Sequence, residues 1–182
     1  MIVCAYSTND KYRAYALAMK ASAEAFGLRV VLYEYPAVSD WRDGVNLKPM
    51  AILRAMDEYP FDSVLYVDAD ATFTGSPTEL LGMDDHYDAA MHHQAKNHPL
   101  AGTFWVSNHE RGRIIVARWA QNVRLRPRVA DDLNLKDALY SIPDRRIYHL
   151  PPAYCWHEKT MRPGYGQAKP IIIQESIGEH SF

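Results

Sequence analysis

Val64-Leu-Tyr-Val-Asp-Ala-Asp-Ala-Thr72 is an apolar run that stops on two carboxylates, Asp68 and Asp70. Val64 to Val67 reads as a buried strand of a parallel sheet, where near-continuous apolar character replaces alternation. In open α/β sheets, ligands collect beyond the carboxyl ends of the strands. Two acids one residue apart at such an edge can reach one hard cation, or a cation and a hydroxyl together. Mg²⁺ and Mn²⁺ favour oxygen ligands and keep positions for water and phosphate. The stretch therefore points to a metal-and-phosphate site.

Upstream, Ile2 to Tyr6 is a short apolar run, and Ser7-Thr8-Asn9-Asp10 is a helix-start signal. Tyr12, Tyr15, Ala16, Met19, Ala23 and Phe26 recur at helical spacing, predicting a helix over residues 10–26 closed by Gly27. Arg29 to Tyr35 is strand-like, which completes a βαβ unit. Residues 36–45 read as a loop carrying Trp41, Arg42 and Asp43. Asn46 is placed to cap a helix that has Pro49 in its first turn and runs to about Tyr59.

Downstream, Tyr87 to His92 and Thr103 to Val106 are apolar stretches. Asn108 starts a helix with Ile115, Trp119 and Val123 on one face, and Asp131 or Asp132 starts another that ends near Tyr140. Ile147 to Leu150 and Pro170 to Ile173 read as late strands. The order predicts an α/β fold, Rossmann-like, with a mostly parallel sheet flanked by helices. With 182 residues and no linker, repeat or low-complexity tract, residues 1–182 are expected to form a single domain.

Bulk composition narrows the function. A 48% hydrophobic and 23% charged chain is ordinary for a globular protein, and a net charge of −2 gives no global attraction to nucleic acid or anionic lipid. Six arginines between Arg111 and Arg128 form the strongest local basic stretch, read as a solvated helix and loop. Cys4 and Cys155 make neither a disulfide framework nor a zinc motif, and are expected to be buried and reduced, as in the cytoplasm. No stretch approaches the roughly 20 apolar residues of a membrane span, and no signal peptide is evident.

Asp68-Ala-Asp70 behind Val64-Leu-Tyr-Val67, downstream of a βαβ unit, resembles the GT-A glycosyltransferases. Ile2–Tyr6 matches that family's first nucleotide-binding strand. Trp41…Lys48-Pro49…Ile52 and Ala101-Gly-Thr-Phe104…Asn108 match its flanks at the level of pattern. Among these enzymes the chain looks most like the small, retaining, galactosyltransferase-like nucleotide-diphospho-sugar transferases.

The resemblance implies a transferase that takes a UDP- or GDP-sugar with Mn²⁺ or Mg²⁺ and passes the sugar to an acceptor of unspecified class, nucleic acid included. Asp68 is then expected at the ribose or donor sugar and against the metal, with Asp70 as a ligand of the metal, which bridges the donor diphosphate. Tyr6, Ser7 and Thr8 are expected at the base and ribose, though Ser7 and Thr8 also suit a helix cap. Lys48 is expected at the active-site edge, or else as an exposed helix-start lysine. Gly102 is expected where backbone approaches ligand closely, or as a plain bulge. Asp131 and Asp132 are expected to orient the acceptor or stabilise an oxocarbenium-like sugar, although N-capping alone also explains Asp131.

The resemblance further implies a histidine after the last strand as third metal ligand. His180 is the candidate, while Gln174 sits nearest where one version of that motif puts its histidine, and no Lys-Pro-Trp follows Gly178. His92, His93 and His98 match no standard ligand spacing and are expected on the surface or in a loop.

Two other readings compete. Asp68-Ala-Asp-Ala-Thr72 also satisfies the Asp-x-Asp-x-Thr signature of haloacid dehalogenase-like phosphohydrolases, in which the first Asp is the nucleophile. That family carries the motif on its first strand, and Lys136 and Lys159 fall after Asp131-Asp132, the wrong order for its remaining parts. A non-catalytic glycan- or partner-binding module is the second. Trp105, Tyr154, Trp156 and Tyr165, taken as exposed, suit sugar stacking, or else a core or homodimer interface.

Overall fold

Asn9, rather than Ser7 or Thr8, caps the first helix: its side chain accepts from the Tyr12 N–H at 3.0 Å. β1 (Ile2–Ser7) precedes it, and α1 (Asp10–Glu24) follows. The computed structural model describes residues 1–83, 86–95, 97–157 and 168–174. β2 (Val30–Glu34), α2 (Trp41–Val45), α3 (Lys48–Glu58), β3 (Val64–Val67) and β4 (Ala71–Phe73) come next. Then follow β5 (Ala89–Ala95), β6 (His98–Val106), α4 (Glu110–Leu125), α5 (Asp131–Tyr140), β7 (Ile147–His149) and β8 (Ile172–Gln174).

The main sheet has the order β2-β1-β3-β6-β5-β7. β1 is parallel to β2 and β3, and β5 is parallel to β7; β6 is antiparallel to both β3 and β5. Only β6, among the described strands of this sheet, therefore runs against the rest, and the sheet is mostly parallel as expected. β4 and β8 pair separately, antiparallel, with Ala71 opposite Gln174.

Alternation along the strands divides the core in two. Cys4, Val64, Tyr66, Phe104 and Val106 face α3, α4 and α5, where Ile52, Met56, Ile115, Trp119 and Leu135 are buried. Val3, Ala5, Leu65, Val67 and Trp105 face the other way, toward Met19 and Ala23 of α1 and toward Phe73, Tyr154 and Ile172. This is a three-layer arrangement, helices on both faces of a sheet. Full burial of each large apolar side chain contributes roughly 1.5–3 kcal/mol.

Several local expectations change. Residues 36–45 hold the short helix α2, capped by Asp40 through the Arg42 N–H. Asn46 does not cap α3, whose N-cap is Leu47; Asn46 is buried and its Nδ2 donates to the Pro127 carbonyl at 2.9 Å. Asn108 likewise does not cap α4, where His109 takes that place; its amide donates to the carbonyls of Met56 and Tyr59 and ties α4 to the end of α3. Phe26 lies past the end of α1 and is exposed. In each case a long-range partner overrides a plausible local signal.

Trp105, Tyr154 and Trp156 are buried, so none is an exposed platform for stacking; Tyr165 lies outside the described residues. Both cysteines are free and buried. Four of the six arginines are paired: Arg111 with Asp88, Arg113 with Asp57, Arg126 with Asp137 and Arg128 with Asp40. No helix among the described residues is long and apolar enough to cross a membrane.

Candidate active site

Parallel pairing of β1 and β3, with Cys4 opposite Tyr66, brings their carboxyl ends side by side. Tyr6 and Ser7 end one strand, and Asp68 follows the other directly. The Tyr6 and Tyr66 rings stack with centroids 6.1 Å apart, and the Tyr6 hydroxyl donates to the Gly44 carbonyl at 2.7 Å. Ser7 and Thr8 are buried behind this edge. Asp70 lies, partly covered, in the turn between β3 and β4.

Lys48 occupies the first turn of α3 and is buried rather than exposed. Its Nζ lies 3.0 Å from Asp68 Oδ1 and 2.8 Å from Asp131 Oδ2. The Tyr66 hydroxyl donates to the same Asp68 Oδ1 at 2.7 Å. Burial by itself would lower the ammonium pKa, but Asp131 and Asp68 outweigh it and hold the group well above its ordinary value. Lys48 is thus a fixed cation that sets the angle of the Asp68 carboxylate. Burial, reinforced by Asp68, holds the Tyr66 phenol well above its usual range, so it stays a donor.

Asp131 does not cap α5; Ala130 holds that position, and the carboxylate turns to Lys48 instead. Asp132, one residue on, leaves this group and meets His98 Nε2 at 2.7 Å. The structure therefore separates the two acids that the sequence puts together. Gly102 lies against the site: its carbonyl accepts from the Asp68 N–H at 2.9 Å. A Cβ added at Gly102 would stand 3.1 Å from Asp68 Oδ2 and 3.4 Å from Gln174 Cδ, so a larger residue here would press on both side chains.

His180 lies outside the described residues. His92 and His93 are not loop residues but part of β5, and His98 opens β6. His92 is buried, with Nδ1 2.9 Å from the Leu150 carbonyl. His93 and His149 meet Nδ1 to Nδ1 at 2.9 Å.

Three neighbours of the site escaped sequence reasoning. Tyr66 was legible, since residues two apart on a strand share a face and Tyr66 precedes Asp68 by two. His157 and Tyr12 carried no such signal. Burial lowers the His157 pKa while Asp68 raises it, which puts the imidazole within electrostatic reach of the carboxylate. Burial, then Asp70 and Asp68, raise the Tyr12 pKa. Burial pushes the Cys155 thiol up to about 12, so it is protonated at neutral pH and no nucleophile.

With Lys48 as the internal cation, Asp68, Asp70 and Asp131 leave net negative charge at the strand edge. Among the described residues, His, Cys, Asp and Glu form no group of three that could hold a metal ion. The oxygens of Asp68 and Asp70 still fit a hard divalent cation completed by water and phosphate.

No protein-family model matches the chain, and no curated protein matches it. Solved structures do. A glycosyltransferase involved in glycosylation of the major capsid of PBCV-1 superposes with a TM-score of 0.75 at 16% identity, covering 97% of this chain and 94% of that one. The glycosyltransferase GlyE of Streptococcus pneumoniae TIGR4 gives 0.65 at 16% identity, with 95% of this chain on 54% of that one. The galactosyltransferase LgtC, solved with donor and acceptor sugar analogs, gives 0.60 at 12% identity over 97% of this chain and 87% of that one. These likenesses do not favour the phosphohydrolase reading, and the motif strand here is the third of the sheet rather than the first. The chain has the α/β fold of the glycosyltransferase structures.

Proposed function

We propose that residues 1–182 form a single-domain glycosyltransferase that moves a sugar from a nucleotide-diphosphate donor, a UDP- or GDP-sugar, to an acceptor, with a divalent cation at Asp68 and Asp70. The observation that carries this reading is the Lys48 bridge between Asp68 and Asp131 at the carboxyl edge of β1 and β3. It fixes the first acid of the Asp-x-Asp pair beside the strand end where α/β folds bind ligand.

In this reading Tyr6, Ser7 and Thr8 line the nucleoside side, and Asp68 faces the ribose or donor sugar. Bound at Asp68 and Asp70, Mg²⁺ or Mn²⁺ supplies Lewis-acid neutralisation of charge on the departing diphosphate. Asp131 holds Lys48 charged, and Lys48 holds Asp68 in place, so the carboxylate is oriented before substrate arrives. In the same reading Asp131 orients the acceptor or stabilises an oxocarbenium-like sugar. Among the described residues no lone carboxylate stands out as an inverting base, which favours retention of configuration; Asp131 or Asp132 acting as that base would give inversion instead. Two buried free thiols favour a reducing, cytoplasmic setting.

Thermal unfolding with a panel of UDP- and GDP-sugars tests the reading. A donor should raise the melting temperature only with Mg²⁺ or Mn²⁺ present, and Asp70→Ala should abolish that shift. Absence of a shift with every nucleotide sugar sinks the proposal. Hydrolysis of a simple phosphate ester, lost in Asp68→Asn, would support the phosphohydrolase instead.

A further inference from the structure

β3 and β5 both run antiparallel to β6, so they share a direction, and β7 runs parallel to β5. The carboxyl ends of β5 and β7 therefore open on the same sheet edge as Asp68, roughly 10–15 Å along it at the usual strand spacing. His149 ends β7 opposite Met91, and His93 follows Met91 by two residues. The two imidazoles meet Nδ1 to Nδ1 at 2.9 Å, with ring centroids 4.3 Å apart. A straight N–H···N bond of this length would set the centroids about 5.2 Å apart. Two imidazoles on one cation at about 2.1 Å, with a right-angle bite, would set the nitrogens about 3.0 Å and the centroids about 4.6 Å apart. The observed separations fit the second arrangement. Both rings line a cavity of about 390 Å³ with Tyr140, Asp144 and Arg145. The Arg145 guanidinium is drawn onto the Tyr140 ring and donates to the Ile142 carbonyl, while Asp144 adds a negative charge to the cavity.

We infer that His93 and His149 chelate a borderline divalent transition ion through their Nδ1 atoms, Cu²⁺ or Ni²⁺ in preference to Zn²⁺. Imidazole suits all three ions, and a right-angle bite suits the tetragonal geometry of Cu²⁺ and Ni²⁺. Only one of the two Nδ1 atoms can carry the proton that joins the rings. The ion takes its place when that proton shifts to Nε2 of the same ring, so the pair keeps its charge. Among the described residues His, Cys, Asp and Glu form no group of three for a metal, so the remaining positions fall to water or to a molecule held in the cavity. This nitrogen site is separate from the oxygens of Asp68 and Asp70, and it stands whether or not a nucleotide sugar binds there.

Titration of the metal-stripped protein with Cu²⁺, followed by calorimetry and by electron paramagnetic resonance, tests this without any turnover. The first Cu²⁺ bound should show coupling to two imidazole nitrogens. Ni²⁺ and Zn²⁺ should compete for that site, and excess Mg²⁺ should not. His93→Gln and His149→Gln should each weaken Cu²⁺ and Ni²⁺ on the order of tenfold or more and leave coupling to a single ring. His149 is exposed, so its variant keeps the test open if His93→Gln folds poorly, which thermal unfolding checks. His86→Gln, at an exposed histidine elsewhere, and Asp70→Ala should leave both affinities unchanged. A wild-type protein that binds neither Cu²⁺ nor Ni²⁺ overturns the inference. So does a Cu²⁺ affinity that His149→Gln does not move, or one that His86→Gln lowers as much.

Discussion

The ammonium of Lys48 and the carboxylate of Asp131 meet at 2.8 Å, each from the first turn of its own helix. α3 and α5 lie on the same face of the sheet, so the pair draws both helix starts to the strand edge that carries Asp68. Sequence alone leaves Lys48 either at the active-site edge or as an exposed helix-start lysine, and Asp131 either a site acid or an N-cap. Burial of one against the other joins both to Asp68 at the strand edge.

Removing one member of a buried pair leaves the rest uncompensated. Lys48→Met should destabilise the protein by about 3 kcal/mol, because Asp68 and Asp131 then repel across a partly desolvated gap. The double variant Lys48→Met/Asp131→Asn should recover part of that loss. Urea unfolding of the four proteins in the cycle measures the coupling; strict additivity contradicts the pairing. The sign with pH follows from the raised Lys48 pKa. Its contribution is complete below the unfolded value of about 10.4 and is lost as pH rises through the higher folded value.

Gly102→Ala is expected to disturb the site more than the fold. The new Cβ would sit 3.1 Å from Asp68 Oδ2 and 3.4 Å from Gln174 Cδ, so the neighbours must give by a few tenths of an ångström. The cost should be about 1 kcal/mol in stability. Metal-dependent donor binding, read by thermal shift, should fall further than that loss accounts for. Unchanged donor binding would show that the close approach is incidental.

Gly112 decides between two opposed effects. Alanine is the better helix former by about 1 kcal/mol. A Cβ at Gly112, however, would stand 2.0 Å from the Ser107 carbonyl oxygen, a backbone atom that cannot swing aside. The clash wins: Gly112→Ala should lose about 3 kcal/mol, visible as a lower midpoint in urea. A neutral or stabilising outcome contradicts the packing of α4 on the end of β6.

His93 gives the protein an acid-side sensitivity. Burial, then the neighbouring His149 and His92, push its pKa down from 6.5 to about 4. The unfolded chain therefore binds a proton that the folded one refuses in that window, so stability falls as pH drops from about 6.5 toward 4. His93→Gln should flatten this part of the stability profile while leaving stability at pH 8 little changed. An identical slope in the variant assigns the acid sensitivity to other groups.

Much of the scaffold was legible because it is encoded locally. Period-two and continuous apolar runs mark β1, β2 and β3, helical spacing marks α1 and α4, and an acidic start marks α5. The Asp68/Asp70 pair was legible for the same reason, since a strand that ends on acids places them at a sheet edge. The caps were less so: Asn46 and Asn108 look like N-caps, yet each spends its amide on distant carbonyls. Exposure of aromatics was misjudged outright, because the faces of Trp105, Tyr154 and Trp156 depend on which layer folds over them.

The amino-acid sequence by itself determined where the acids sit: at the mouth of a mostly parallel sheet, behind a buried strand. Tertiary structure decided their partners. Lys48 reached Asp68 and Asp131, Asp132 was sent to His98, and the Gln174 amide was turned so that its nitrogen meets the Gly102 carbonyl and the Thr103 hydroxyl. Periodicity reports only which side of an element faces inward, whereas ion pairs and amide orientation are settled between elements far apart in the chain, where burial makes an unpaired charge or carbonyl too costly to leave.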